Sequence, residues 1–464
     1  MSTYVEKKQY DEIIHFAKSL SSNDLRDEIV TDIYQESKSI CDETIRYQSM
    51  EKLRQTEKLD RIFTSKLFGF PIMLAMLGIV FYITIAGANY PSSLLADFFN
   101  WIEGYLTTFF HWIHAPEWLY GIIVLGLYRG TAWVVSVMLP PMAIFFPMFA
   151  LLENYGYLPR VAFNMDRLFK RAGAHGKQAL SMAMGFGCNA AAILSTRIIE
   201  SPRERMIAIL TNNFVPCNGR WPTLILLSSL FMAVGFSGTL GTFVTAAVVM
   251  GIVLFGIVVT LVVSWVLSKT ALKGIPTHYT LELPPYRIPK FWQTILRATL
   301  DKSLFVLKRA VIVAAPAGML TWIAANIFIG DTSILMYVVN FFDPFAQLLG
   351  LDGYILTAFL FGLPANEIVL PILLMGYLST GAMIEVEDLT AIKQIFIEHG
   401  WTWLTALNMM LFSLLHFPCG TTMVNIYKET HSKKWTFIAF ALPTSIAIVV
   451  TFVVAQVAKG FGWV

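Results

Sequence analysis

Residues 178–196 read QALSMAMGFGCNAAAILST, an apolar run with no charged residue and the glycine-bearing string GFGCN (185–189) near its middle. About 20 such residues suffice to cross a bilayer, yet both flanks of this run are basic. Arg160, Arg167, Lys170, Arg171 and Lys177 precede it, and Arg197, Arg203 and Arg205 follow it. Lys and Arg near a span favour the cytoplasmic face, so both ends belong on that face. The run therefore predicts a re-entrant hairpin folded at GFGCN. A counterpart occurs at 353–379, GYILTAFLFGLPANEIVLPILLMGYLS. It lies between 329–352, which has no Lys or Arg, and 380–400, which has Lys393 against Glu385, Glu387, Asp388 and Glu398. That segment predicts a hairpin entered and left from outside, folded at GLPAN (362–366). Gly185, Gly187, Gly362 and Pro364 are the expected turn residues. Irregular backbone at this depth is tolerated only where protein buries it or water reaches it.

The two hairpins align with each other. Asp166 and Asp343, Gly173 and Gly350, Gly176 and Gly353, Gly185 and Gly362, and Asn189 and Asn366 are each 177 positions apart. Further on, VPC at 215–217 answers FPC at 417–419, the offset enlarged by the acidic insert near 380–400. Repeats of opposed topology are the plan of many secondary transporters. Apolar stretches at 67–88, 119–154, 206–233, 240–267, 303–328, 401–427 and 435–458 complete the pattern. Loops 268–302 and 428–434 are basic, whereas 89–118 has no Lys or Arg. The expected fold is an all-α polytopic membrane protein with about seven transmembrane helices and two re-entrant hairpins in an inverted internal repeat. Its divisions are a cytoplasmic helical appendage (1–60), a first transmembrane helix with an outer interfacial loop (61–118), a first repeat (119–267), a cytoplasmic linker (268–302) and a second repeat (303–464). The amino terminus is expected inside and the carboxyl terminus outside.

Composition agrees with this class. Of 464 residues, 56% are hydrophobic and 14% charged, with a mean hydropathy of +0.61, whereas a soluble domain is about a quarter charged. An ordinary cytosolic enzyme, a disordered chain and a nucleic-acid binder are excluded. Lys plus Arg (34) nearly balance Asp plus Glu (31), and four Cys make no disulfide framework. Residues 1–60 carry the densest charge, with apolar residues at helical spacing: Tyr10, Ile13, Ile14 and Ala17, then Leu25, Ile29 and Ile33. Ser21, Ser22 and Asn23 interrupt them, which predicts a helical hairpin, and the charged start shows no signal-peptide core. Cys41, among charges, reads as a bystander.

The midplane of such a plan, where hairpin tips meet breaks in long spans, is the expected site. It would contain Cys188, Asn189, Cys217, Asn218, Asn366, Glu367, His416 and Cys419, so three of the four Cys fall at three breaks. Thiolates with a carboxylate suit Fe(II), Zn(II) or Mn(II), which makes Cys188, Cys217, Glu367, Cys419, Asn189 and Asn366 the candidate metal set and Asn218 and His416 a secondary polar path. Each has a plainer reading. Cys packs as a small hydrophobe, Asn caps half-helices, His416 sits satisfied in a core, and Glu367 pairs with a buried Arg. An intramembrane carboxylate is costly without such a partner. Arg129, Glu153, Arg197 and Arg220 are candidate struts or gates. His111 and His114 would share a face if helical, although an interfacial helix with Trp101, Trp112 and Trp118 accounts better for that stretch.

Several strings together resemble one family. GFGCN at 185–189 with Thr196, Arg197, Glu204 and Arg205, PC at 216–217, LELPPYRIP at 281–289, FPC at 417–419 and LLENYGYLPRVAFNMDRLF at 151–169 are similar to the membrane domain of FeoB-type ferrous iron transporters, over about residues 60–435. The resemblance implies two Gate regions, residence in the bacterial cytoplasmic membrane, uptake of Fe(II) as transported substrate without a resident cofactor, and a metal-path role for Cys188 and Cys419. Two departures stand out. No G-x-x-x-x-G-K-[ST] loop is present, GAHGKQ at 173–178 having the wrong spacing, so this polypeptide is expected not to hydrolyse GTP. The implied partners are the lipid bilayer and a separately encoded GTPase docking on residues 1–60; further copies of the chain are compatible, and nucleic acid is not expected. At 366–367 the chain has Asn-Glu where the family usually has Lys before Glu. Two other readings stand beside the permease: a nucleoside or other organic-solute carrier, and a non-transporting scaffold for a GTPase.

Overall fold

The computed structural model describes residues 22–44, 50–65, 67–233, 239–274, 283, 285–287, 289–383 and 389–462. The fold is all-α; among the described residues the strands are Phe328–Ile329 and Thr332–Ser333, a short antiparallel hairpin. The chain divides after Leu59 into two compact units. In the first, the helix Ser22–Thr44 exposes every described side chain from Glu28 onward, Ile29 and Ile33 included. The helix expected around residues 10–17 lies outside the described residues.

In the second unit five helices are long and apolar enough to cross a membrane: Gly69–Trp112, Glu117–Tyr155, Phe243–Lys269, Trp403–Thr430 and Lys433–Gly460. A sixth is reached if Ile334–Leu348 and Gly353–Phe361, bent by 116°, count as one span. The seven expected crossings are thus not all present by length and composition among the described residues. The stretch 206–233 is broken between Pro202–Thr211 and Trp221–Leu227. In Leu304–Asn326 the apolar portion Val311–Asn326 is short.

Two expected outer loops are corrected. Residues 89–112 continue the first helix, which runs 44 residues, about 66 Å at 1.5 Å per residue and twice the apolar thickness of a bilayer. Ser92, Ser93, Asp97 and Glu103 lower the hydropathy there without breaking a helix. Trp112 ends the helix and His114 takes a left-handed φ of 49°, so His111 and His114 do not share a helical face. The second loop, 329–352, contains the helix Ile334–Leu348, capped by the Ser333 hydroxyl accepting from the Met336 amide.

The internal repeat is visible in the backbone. Tyr157–Arg171 and Ile334–Leu348 begin and end 177 positions apart. Gly173 (φ 71°) and Gly350 (φ 66°) turn the chain after each helix, a conformation glycine adopts without strain. The Gly353 amide then donates to Asp343 Oδ1 at 2.9 Å, and a Cβ at Gly176 would collide with the Asp166 carboxylate. Short helix, tip and second half-helix follow in both copies: Gln178–Gly185 and Asn189–Ser195, then Gly353–Phe361 and Asn366–Leu378. The second copy carries an additional helix, Leu389–Glu398. The leading helices of the copies touch backbone to backbone: a Cβ on Gly126 would lie 3.1 Å from the Gly318 carbonyl, and one on Gly130 would lie 3.1 Å from Gly318 Cα.

LELPPYRIP also has a visible task. Tyr286 donates its hydroxyl to Asp60 Oδ1 at 2.9 Å and lies under the Arg160 guanidinium, 4.1 Å from the ring centre. Arg160 donates Nε to Asp60 Oδ1 (2.9 Å), Nη2 to Asp60 Oδ2 (3.2 Å) and Nη1 to the Gly156 carbonyl (2.8 Å).

Candidate functional site

At the first tip the helix Gln178–Gly185 ends, the chain turns through Phe186 and Gly187, and Cys188 takes an extended conformation (φ −156°, ψ 120°) before Asn189 opens the next half-helix. Gly187 is required by close packing, because a Cβ there would overlap the Phe145 ring. At the second tip Ala365 holds the matching dihedrals (φ −150°, ψ 119°), followed by Asn366 and Glu367. Gly362 admits no Cβ beside Val369 and the Ala358 carbonyl.

Each tip is joined to the broken span of its own copy. The Asn218 amide donates to the Gly187 carbonyl at 3.2 Å, and the Gly420 amide donates to the Leu363 carbonyl at 2.8 Å. In both copies the donor is the residue after the Pro-Cys cysteine. These bonds satisfy backbone groups that the interruptions leave open in an apolar interior.

Tips and breaks converge on one cavity. Cys188, Cys217 and Cys419 line it together with Glu367, and Asn189, Asn218 and Asn366 add amide groups. Pro364 lines it as well, and Met138 and Met142 of the long helix Glu117–Tyr155 form part of the wall. Its free room is about 30 Å³, enough for a water-sized particle. Among the described residues no three His, Cys, Asp or Glu side chains converge tightly enough to hold a metal ion. The donors therefore face a common space rather than a closed cage.

The hydrogen bonds refine the roles. Asn189 donates Nδ2 to the Val215 carbonyl (3.4 Å) and accepts from Asn212 Nδ2 (3.3 Å), so it staples the first tip to the first break. Asn366 points Nδ2 at Cys217 Sγ, 4.0 Å away, and its Oδ1 has no hydrogen-bond partner among the described residues. Cys419 Sγ shares a hydrogen bond with Thr422 Oγ1 at 3.2 Å. Among the described residues no Lys, Arg or His lies within ion-pair distance of Glu367. Its carboxylate abuts Gly219, where a Cβ would overlap it.

Arg220, a candidate strut or gate, clamps carbonyls. Nη1 donates to the Asn213 and Leu414 carbonyls (both 2.8 Å), and Nη2 to Asn213 Oδ1 (3.2 Å) and to the His416 and Phe417 carbonyls (both 3.3 Å). Asn213 Nδ2 reaches the His416 carbonyl as well, at 2.5 Å. First-copy residues thus hold the second-copy break open. Asn425 returns the relation, donating to the Ala190 carbonyl at 2.8 Å. Asn212, Asn213 and Asn425 were missed by sequence reasoning, although amides inside apolar runs were a readable sign.

His416 does not line the cavity. Its ring packs between Phe359 and Phe417, with centroids 4.7 and 4.9 Å away, and Nδ1 faces the Phe412 and Ser413 carbonyls at 3.1 and 2.8 Å. Two acceptors at Nδ1 make that nitrogen the donor. The remaining struts lie toward the ends. Arg129 pairs with Glu103 and donates Nη1 to the Met383 carbonyl (3.3 Å). Glu429 is held by Arg197, at 2.6 Å, and by Arg205.

Comparison with known proteins agrees with this architecture. The Gate family model, described as nucleoside recognition, matches residues 135–231 and 307–433, and the model for the Ferrous iron transport protein B C terminus matches 249–302. A Staphylococcus aureus (strain COL) protein named Fe(2+) transporter FeoB is 31% identical over 436 residues, covering 91% of this chain and 62% of that protein. A Methanocaldococcus jannaschii protein of the same name is 27% identical over 443 residues, covering 92% and 62%. A Porphyromonas gingivalis Fe(2+) transport protein A/Fe(2+) transporter FeoB fusion protein is 26% identical over 463 residues, covering 89% and 53%. The chain thus spans less than two thirds of the length of these relatives. No solved structure matches it. With two Gate matches on either side of an FeoB C-terminal match, the chain belongs to the family of FeoB-type membrane domains.

Proposed function

We propose that this chain is a permease that passes a divalent transition-metal cation, Fe(II) first among them, through the cavity between the hairpin tips and the Pro-Cys breaks. The observation that carries the reading is the cavity itself: three cysteine sulfurs, one carboxylate with no cation in ion-pair reach among the described residues, and three amides face about 30 Å³ of room. A largely dehydrated metal ion fits that volume. Pockets for organic ligands run to roughly 300–1,000 Å³, so a nucleoside would require the cavity to grow about tenfold. Soft and hard donors together suit Fe(II) better than Na⁺, and a set that is not closed into a cage suits an ion that must leave again. The relatives named Fe(2+) transporter FeoB support the same cargo. The proposal includes a bacterial inner-membrane location, an amino terminus on the cytoplasmic side and a separate GTPase acting on residues 1–60.

Anaerobic proteoliposomes enclosing a Fe(II)-quenched dye test it. The intact chain is expected to quench the dye, and a Cys188→Ser/Cys419→Ser variant to do so at least tenfold more slowly. Equal rates would remove the thiolates from the path. If neither form conducts, addition of the candidate GTPase with GTP should start uptake in the intact form alone. Failure there, with saturable uptake of a labelled nucleoside instead, would replace this reading.

A further inference from the structure

The linker between the copies forms a second polar cavity, remote in character from the first. Arg287, Lys290 and Arg297 line it with Glu153, beside the amide and hydroxyl groups of Asn154 and Thr294, around about 500 Å³ of open room. Three cations against one carboxylate leave an excess of positive charge. Among the described residues none of the three makes an ion pair. The cavity is also built: the Arg287 amide donates to the Tyr155 carbonyl at 3.4 Å, and Asn154 Nδ2 to Thr294 Oγ1 at 3.1 Å, fastening the linker to the long helix.

The helix that follows Lys290 and supplies Arg297 has a second character. Trp292, Leu296, Leu300 and Leu304, spaced four apart, are 74%, 58%, 56% and 50% exposed. They form an apolar stripe along the helical run from Phe291 into Leu304–Asn326. A basic cavity thus sits beside an outward apolar stripe headed by a tryptophan, the residue that favours the headgroup level of a bilayer. We propose that this cavity binds the phosphate of an anionic phospholipid, whose acyl chains lie along the Trp292–Leu304 stripe. Basic pockets at the ends of membrane helices take such headgroups, and Arg forks match phosphate oxygens in pairs. Free phosphate offers the same headgroup chemistry but leaves the stripe unexplained. The inference does not depend on which solute crosses the other cavity.

Native mass spectrometry of the detergent-solubilised full chain tests it, with phosphatidylglycerol, phosphatidylcholine or inorganic phosphate as probe. The intact chain is expected to retain phosphatidylglycerol at least tenfold more strongly than phosphatidylcholine. An Arg287→Gln/Lys290→Gln/Arg297→Gln variant should lose that preference, whereas Arg287→Lys/Arg297→Lys should keep most of it and Lys433→Gln/Lys434→Gln all of it. Trp292→Ser should weaken the lipid adduct, and millimolar inorganic phosphate should not displace it. Equal retention of both lipids, or an unchanged preference in the triple variant, would overturn the proposal. Phosphate binding that the triple variant abolishes, without lipid retention, would overturn it in favour of a soluble phosphate compound.

Discussion

Glu367 sits in an apolar half-helix beside Gly219, without a cation in ion-pair reach among the described residues. A carboxylate so placed is stable when protonated, hydrated or holding a cation. Glu367→Gln keeps its size and removes its charge. The variant should fold with an unchanged melting temperature in detergent while Fe(II) uptake falls at least tenfold; full uptake would take Glu367 out of the path. A sequence can reveal such a residue, because one acid in a long apolar run costs too much to be there without a task. Arg220 was not legible in the same way. Besides Asn213, its partners are main-chain oxygens of Leu414, His416 and Phe417, some 200 positions away, and main-chain oxygens carry no sequence signature. Arg220→Met should leave several of them unpaired at about 1–3 kcal/mol each, measured as loss of the folded, monodisperse fraction.

At the scale of elements, apolar runs located most of the long helices but not their ends. The turn strings GFGCN and GLPAN were readable because Gly and Pro punctuate apolar runs. The continuation of the first helix to Trp112 was not, since a hydropathy window ends where polar residues begin and a helix does not. LELPPYRIP shows how a loop string can fasten elements instead. Burial, then the hydrogen bond to Asp60, raise the Tyr286 phenol above its ordinary range. An acid whose folded pKa is raised adds stability that is fully present below its unfolded value of about 10 and lost as pH climbs from there through the folded value. Alkaline unfolding of the intact chain should therefore set in at lower pH than that of Tyr286→Phe, which lacks the titrating group. Arg160→Ala, which strips the clamp from Asp60, should lower the melting temperature at pH 7; an unchanged value would make the cluster ornamental.

At the scale of the whole molecule the copies are joined along one close seam and through reciprocal polar links. Five sequence identities at a fixed offset made the repeat legible. The same offset then relates two 15-residue helices and the dihedrals of Cys188 and Ala365. What the sequence did not announce is the seam, because Gly126, Gly130 and Gly318 look like ordinary membrane-helix glycines until the backbones they bring together are seen. Small residues let membrane helices approach closely where no hydrophobic force drives them together. Gly318 is the tightest of the three, since a Cβ on it would meet the Gly126 carbonyl. Gly318→Leu must push the helices apart and forfeit that packing, by about 1–3 kcal/mol or more. Gly251→Leu is the matched control, because nothing lies within 4 Å of a Cβ at that glycine. The expected result is a melting temperature lowered by several degrees, with loss of Fe(II) uptake, for Gly318→Leu and near-intact behaviour for Gly251→Leu. Equal tolerance of both would mean that the copies are held together elsewhere, by the Arg220 clamp, Asn425 and the Arg197–Glu429–Arg205 cluster, and that the seam is only a place where two helices pass.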